Sequence, residues 1–238
     1  MKWGTLYPSH FVNKLYGMAS RNLTGPFRMV CLTDDAKGIR PEVECLPCPT
    51  IALPPPLHKS TWRKVSLFAQ TLPGMEGDWL FLDLDLIITG GLDAFFEYEP
   101  QKTFVVMHNW TQPGSGIGNT SCYRFRVGSH PYLLSKLIED HAAIFKQFNN
   151  SQTYISRTVK EISFWPDEWC KLFKVDCIPP MPQRWWKAPH LPPTAKVVAF
   201  PGLPNPDDAL IGVWPAPWYK KIYKTIRPAT WIADYWKE

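Results

Sequence analysis

The chain has 238 residues, 45% hydrophobic and 20% charged, with 25 prolines, 12 tryptophans and a formal net charge of +5. That length supplies the core of one larger domain or two small ones, and the charge fraction excludes a disordered polyelectrolyte or a coiled coil. No apolar run approaches the roughly 20 residues of a membrane-spanning helix, and the first ten residues lack the apolar core of a signal peptide, so a cytoplasmic location is expected.

A brief strand is expected over residues 2–6, leading into a helix capped by Ser9, with Phe11, Val12, Leu15, Tyr16, Met18, Ala19 and Leu23 on its apolar face. Residues 27–33 and 43–46 read as strands, and 47–58, with five prolines, as a loop. Helical spacing returns over 61–72, and 78–88 (DWLFLDLDLII) reads as one strand covered on both faces. Strands follow at 103–107 and 119–127 around a Gly-rich loop. Residues 131–148 read as one helix with Leu134, Leu137, Ile138, Phe145 and Phe148 on one side. After residue 163 Pro and Trp dominate, and only 196–200 reads as a regular strand. The expectation is a single α/β domain: an alternating part over 1–162 and a Pro/Trp-rich extension over 163–238.

The cysteines (Cys31, Cys45, Cys48, Cys122, Cys170 and Cys177) are expected as reduced thiols, since nothing signals export. Cys45 and Cys48 have CxxC spacing but no second pair to complete a zinc site.

Asp83 and Asp85 interrupt the strongest apolar run. Residues two apart on a strand share a face, so both carboxylates are expected in one site. Two such anions repel unless a cation joins them, and Mg²⁺ or Mn²⁺ suits carboxylate oxygens. Such an ion can hold a diphosphate and neutralise a leaving phosphate. Phosphatases of the haloacid dehalogenase type also use Asp-x-Asp, but near the N-terminus and followed by Gly and Thr or Val; here Leu86-Ile87 follows.

The ordered set Lys2-Trp-Gly-Thr, Leu32-Thr-Asp-Asp, Trp62-Arg-Lys-Val-Ser-Leu-Phe, Phe81-Leu-Asp-Leu-Asp and Gly118-Asn-Thr-Ser resembles bacterial glycosyltransferases and is similar to family 8 in motif order. The resemblance runs to the terminal Ile226-Arg-Pro-Ala-Thr-Trp-Ile-Ala-Asp. It implies a GT-A-like domain with a mixed, mostly parallel central sheet flanked by helices. It also implies transfer of a sugar, with retention, from a nucleotide-sugar (a UDP-sugar) to a saccharide or glycolipid acceptor. By the same likeness Asp83 and Asp85 hold the metal, and Thr5, Thr33, Asp34, Lys64 and Asp83 meet the donor. Gln152 and Asn119 stand at the reacting centre, with Asn119, Trp185 and Trp186 toward the acceptor. Arg63 cannot share the helical face of Lys64. Only Met1 and Lys2 precede Trp3, short for the first strand of such a sheet; either the protein begins further upstream or that strand is stunted.

Two departures weigh on this reading. Where family 8 has Asp-Gln, Ser151 precedes Gln152, and Ser151 alternatively caps the helix beginning there. Where the family has His-Phe-x-Gly-x-x-Lys-Pro-Trp, this chain has Ala199, Asn205 and Asp207 in place of the His, Lys and Trp. His190 or Lys196 is expected to substitute, or the protein is a non-catalytic nucleotide-sugar-binding module; a metal-dependent phosphohydrolase is a third reading. Finally, Trp218-Tyr-Lys-Lys-Ile-Tyr-Lys-Thr-Ile-Arg227 mixes basic and aromatic residues. It reads as an amphipathic helix with a solvated basic face, or as a peripheral contact with the inner face of a membrane; nucleic acid is not an expected partner.

Overall fold

The structure is a computed structural model that describes residues 1–54, 57 and 60–238. Part of the expected Pro-rich loop therefore lies outside the described residues. Helix α1 (Ser9–Arg21) forms because Phe11, Val12, Leu15, Met18 and Ala19 recur at helical spacing and all are buried. Pro8 takes the cap position, with Ser9 already helical, so Ser9 does not cap. At the other end, Arg21 donates to the carbonyls of Tyr235, Lys237 and Glu238, pinning the C-terminal residues along α1. They lie so close that a Cβ on Gly17 would stand 2.4 Å from the carbonyl carbon of Glu238. Gly17→Ala is expected to destabilise by about 1–3 kcal/mol, read by denaturant unfolding together with faster C-terminal trimming by carboxypeptidase.

Strands β1 (Val30–Thr33) and β2 (Glu44–Pro47) pair in parallel. Ahead of them the expected strand at 2–6 contracts to one parallel bridge, Lys2 to Thr33. Gly4, at φ +63°, turns the chain away, and its N–H donates to the Asp34 carboxylate at 2.9 Å. The segment read as an α-helix over 61–72 is a 3₁₀ helix, Thr61–Phe68. Ser66 Oγ donates to the Arg63 carbonyl three residues back at 2.7 Å, a local bond that competes with α-helical pairing.

The long strand expected over 78–88 is two strands in different sheets. Strand β3 (Asp78–Leu82) and strand β4 (Leu86–Ile88) are separated by Asp83-Leu84-Asp85. After α2 (Asp93–Glu97) and β5 (Phe104–His108), strand β6 (Gly118–Arg126) pairs antiparallel with both β3 and β5. The single helix expected over 131–148 is α3 (Tyr132–Glu139) and α4 (His141–Gln147), broken where the Asp140 side chain accepts from Ala143 N–H and caps α4. Ile138, expected on the buried side, is exposed. Helix α5 (Ser151–Thr158) packs against β6 and the 3₁₀ helix.

Beyond residue 163 the chain supplies more strands than its composition suggested. Strand β7 (Ser163–Phe164) runs parallel to β5, and β8 (Cys170–Leu172) runs parallel to β9 (Val197–Ala199), which is antiparallel to β4. The result is three sheets, ordered β1-β2, β3-β6-β5-β7 and β4-β9-β8. The mixed α/β expectation holds. Among the described residues, however, parallel and antiparallel pairings are equal in number rather than mostly parallel. One core joins α1 to β4, β8 and β9; a second joins the 3₁₀ helix to β6, α3 and α5. All six cysteines are free thiols. The stretch 218–227 is not an amphipathic helix: Pro217 leads into a single 3₁₀ turn, Trp218–Lys220, followed by turns. Among the described residues no helix is long and apolar enough to cross a membrane.

Candidate active site

Asp83 and Asp85 stand where the chain crosses from one sheet to another, not on one continuous strand. Asp83 N–H still belongs to the first ladder, donating to Ser121 O at 2.8 Å, while Asp85 O opens the second by accepting from Phe200 N–H at 2.9 Å. What gathers the two acids is therefore the crossover, with Leu84 buried between them. Asp85 is 8% exposed, and Tyr7 Oη donates to its Oδ2 at 2.7 Å. Burial first, and the charge of Asp83 second, push the Asp85 carboxyl up to about 6. Burial and Asp85 likewise raise the Tyr7 phenol.

Lys64 enters from the 3₁₀ helix. Its buried ammonium lies 2.7 Å from the Asp83 carboxylate and donates to Thr120 O at 3.2 Å. Arg63, as expected from its different face, lies instead over the Trp3 ring. The register between β5 and β6 jumps at this point: Val106 faces Tyr123, but Met107 faces Asn119. The irregularity leaves residues 120–122 without partners on β5, while Cys122 and Ser121 stay paired toward β3 and Thr120 O accepts from Lys64. Asn119 is buried, with its Oδ1 accepting from Ser121 N–H at 2.9 Å.

Gln152 is the second residue of α5. Asn150, not Ser151, caps that helix, accepting from Thr153 N–H at 2.9 Å; Ser151 Oγ instead donates to Thr61 O, at the start of the 3₁₀ helix that carries Lys64. Gln152 O accepts from Ser156 Oγ, which in turn accepts from Gly118 N–H at 2.9 Å. Helix α5 is thereby fixed to the end of β6 that carries Asn119. No Cβ fits at Gly118, where it would meet Val106 Cγ1 at 2.5 Å.

The other expected residues sit differently. Thr33 Oγ1 is occupied in a local turn with Asp35, and Asp34 accepts from Gly4 N–H, so both organise the loop that leads to Tyr7. Thr5 lies exposed in that loop. Trp185 and Trp186 are about half exposed on the extension. Trp185 Nε1 donates to Ile222 O at 3.2 Å, placing it with the 218–227 stretch rather than in the buried cluster.

Ala199 is buried opposite Leu86, the neighbour of Asp85, and offers no ligand atom. Asn205 caps α6 (Pro206–Leu210) in a capping box with Asp208, and Asp207 accepts from Lys14 Nζ and Trp236 Nε1. The substitutes named from sequence are not at the pair. His190 is exposed. Lys196 precedes β9 at the end opposite Ala199, about 10 Å along the strand, with its ammonium over Trp169. The cation that does approach is Lys174, on a π-helical turn, Phe173–Cys177. It donates to Pro201 O at 2.6 Å. Burial, then Lys224, lower its pKa while Asp85 opposes them. Neither Tyr7 nor Lys174 carried a sequence signal: Tyr7 bonds Asp85 from far away in sequence, and Lys174 feels its charge from the extension.

Among the described residues no group of three or more His, Cys, Asp or Glu side chains is poised for a metal. The carboxylates of Asp83 and Asp85 have the donor chemistry for a hard divalent cation. The raised Asp85 marks a carboxylate whose charge Tyr7 and Lys64 do not fully balance. Such a cation would draw its remaining ligands from phosphate oxygens and water.

No protein-family model and no curated protein matches the sequence. Solved structures do. The galactosyltransferase LgtC, in complex with donor and acceptor sugar analogs, superposes with a TM-score of 0.55 at 11% identity, over 83% of this chain and 85% of that one. An active-site mutant of LgtC superposes with a TM-score of 0.57 at 9% identity over the same shares. The apo form of the glycosyltransferase GlyE of Streptococcus pneumoniae TIGR4 gives 0.57 at 15% identity, over 86% of this chain and 54% of GlyE. The chain thus has the GT-A-like α/β fold of these glycosyltransferases, and it spans about half the length of GlyE.

Proposed function

We propose that the protein transfers a sugar from a nucleoside-diphosphate sugar, a UDP-sugar, to a saccharide or glycolipid acceptor. The observation that carries this reading is the Asp83–Asp85 pair at a sheet crossover, flanked by Lys64, Tyr7 and Lys174, within a glycosyltransferase fold. Asp83 and Asp85 would hold Mn²⁺ or Mg²⁺, which when bound would supply positive charge against that of the departing nucleotide. Lys174 stands to replace the absent family lysine on the diphosphate. Lys64 orients Asp83, and Tyr7 orients Asp85. Asn119 and Gln152 offer amide groups toward the sugar, the carbonyl of Gln152 suited to developing positive charge but not to nucleophilic attack.

Thermal shift with UDP and Mn²⁺ tests the reading. Ligand present at 100 times its Kd stabilises by about 2.7 kcal/mol, a rise of several degrees, and Asp85→Ala is expected to abolish it. No shift in wild type sinks the proposal. A second reading rests on the buried Ala199 and the helix-capping Asn205: a binding module without turnover. It predicts the UDP shift with no donor hydrolysis over long incubation.

The extension, 163–238, would then form the acceptor side, at a membrane. Trp218 is 83% and Ile222 72% exposed, beside Tyr219 and Tyr223, with Lys220, Lys221 and Lys224 interleaved. Apolar insertion plus attraction to anionic headgroups fits an inner-leaflet surface. The protein is expected to co-sediment with vesicles containing phosphatidylserine and not with pure phosphatidylcholine. At roughly 1 kcal/mol per basic residue, Lys220→Gln with Lys221→Gln is expected to weaken binding on the order of 30-fold. Equal binding to both vesicle types would refute the membrane assignment.

A further inference from the structure

In the β3-β6-β5-β7 sheet, β3, β5 and β7 run one way and β6 the other. Their carboxyl ends therefore share one rim with the start of β6, and open α/β sheets bind ligands at such a rim. The first residues of β6 order what stands there. Ser121 O accepts from Asp83 N–H and Thr120 O from Lys64; Asn119 comes next, and Gly118 opposes His108, the last residue of β5. Along β6, then, Asn119 separates the carboxylate end of the rim from His108. From β3 to β5 the rim spans two strand spacings, about 10 Å. Val106 lies on the same face of β5 as His108 and belongs to the core that contains α5, whose first turn carries Gln152.

His108 is held from two directions. Its Nδ1 bonds Oδ1 of Asp167, just beyond β7, and the Phe164 ring stacks on the imidazole at 4.0 Å and 19°. A carboxylate can only accept, so Nδ1 carries the proton and Nε2 keeps its lone pair. Among the described residues no group bonds Nε2, and the side chain is 41% exposed. His10 makes the contrast: its partner Asp207 also accepts from Lys14 and Trp236, whereas Asp167 accepts from His108 alone among the described residues. An exposed pair of this kind stabilises a fold by about 1 kcal/mol at most. What it does provide is an oriented imidazole with one open nitrogen.

We propose that His108, oriented by Asp167, is the general base that takes the proton of the acceptor hydroxyl. The inference rests on the glycosyl-transfer reading and adds a group that reading lacks, since the amides of Asn119 and Gln152 are not bases at neutral pH. The hydroxyl oxygen forms a bond to the anomeric carbon. The bond from that carbon to the diphosphate breaks, and its electron pair leaves with the nucleotide. The hydroxyl proton passes to His108 Nε2 and from there to solvent. Asp167 lies in the extension, the part of the chain assigned to the acceptor, and its carboxylate stabilises the imidazolium that forms.

The test uses water as the acceptor: UDP release from UDP-glucose and UDP-galactose with Mn²⁺, beside the thermal shift given by UDP and Mn²⁺. His108→Ala is expected to keep the wild-type thermal shift and to lose on the order of a hundredfold in UDP release. Because the site is open to solvent, added imidazole is expected to restore at least a tenth of the lost rate to His108→Ala and to leave wild type unchanged. Asp167→Asn, which no longer fixes the tautomer, should lose about tenfold or more. His108→Ala within threefold of wild type, a loss that imidazole does not restore, or an undiminished Asp167→Asn would each overturn the proposal. So would a His108→Ala protein without the thermal shift, since the residue would then support the donor site instead. A wild type that shows the shift but releases no UDP overturns it as well, because a module without turnover moves no proton. Absence of the shift in wild type sinks the donor reading itself, and this inference with it.

Discussion

Asp85→Asn is expected to make the metal-free protein more stable while lowering the proposed sugar transfer at least a hundredfold. The stability gain follows from the carboxyl being pushed from 3.8 up to about 6 by burial and by Asp83. A shift of that size is worth about 3 kcal/mol, and Asp85 is only 8% exposed, so solvent screening removes little of it. Below pH 3.8 the group is protonated in both folded and unfolded chains, and wild type and variant differ little. As pH rises through about 6 the wild type must ionise a buried carboxyl and falls behind, so the gap opens between those values and is full at neutrality. Asparagine keeps an oxygen to accept from Tyr7 Oη, so that contact survives. Urea unfolding from pH 4 to 8 with chelator present reads the gap; turnover with a UDP-sugar and Mn²⁺ reads the loss. A variant that is less stable at pH 7, or that turns over normally, would show that Asp85 is not the poorly compensated anion described above.

The same residue shows what the sequence could and could not convey. That two acids inside DWLFLDLDLII sit close enough to feel each other's charge was legible, because acids in an apolar run need a reason. That they sit between two strands was not. Residues 78–88 carry no Gly, Pro or polar break apart from the acids themselves, and the switch of partner from β6 to β9 depends on a strand more than a hundred residues later. Lys64 was legible through its motif as a residue for the donor; the structure pairs it with Asp83. Lys174 was not, since only a π-helical turn in the extension brings it toward Asp85. Thr33 and Asp34 illustrate the converse: expected to meet the donor, they engage Asp35 through a local turn and Gly4 N–H across the chain. Secondary structure failed where a side chain cut in, as at Asp140 and Ser66, because such bonds leave the apolar periodicity intact.

Arg124→Met is expected to produce the largest loss of stability of any single change away from the carboxylates. Arg124 sits mid-strand in β6 at 2% exposure, yet its guanidinium is spent on backbone. It donates to the carbonyls of Phe95, Phe96, Tyr98, Glu99 and Lys102, at 2.6–3.2 Å. These are the last carbonyls of α2 and of the turn after it, which the helix itself cannot satisfy. Methionine preserves the apolar stem but removes a buried cation's bonds to five carbonyls, of which Glu99 O keeps Lys102 N–H, at a cost of about 3–5 kcal/mol. For a chain of this size that is a fall in Tm of roughly 10 °C. Lysine should recover less than half, because one ammonium cannot span acceptors that a planar fork reaches from two nitrogens. The turn adds its own check: Glu99 holds φ +42°, a left-handed conformation fixed by the bond from Arg124 to its carbonyl. Glu99→Gly should therefore return on the order of 1 kcal/mol to the Arg124→Met variant by removing that strain. If Arg124→Met melts within about 2 °C of wild type, the carbonyls find other partners and this buried cation is not what holds the turn to the sheet.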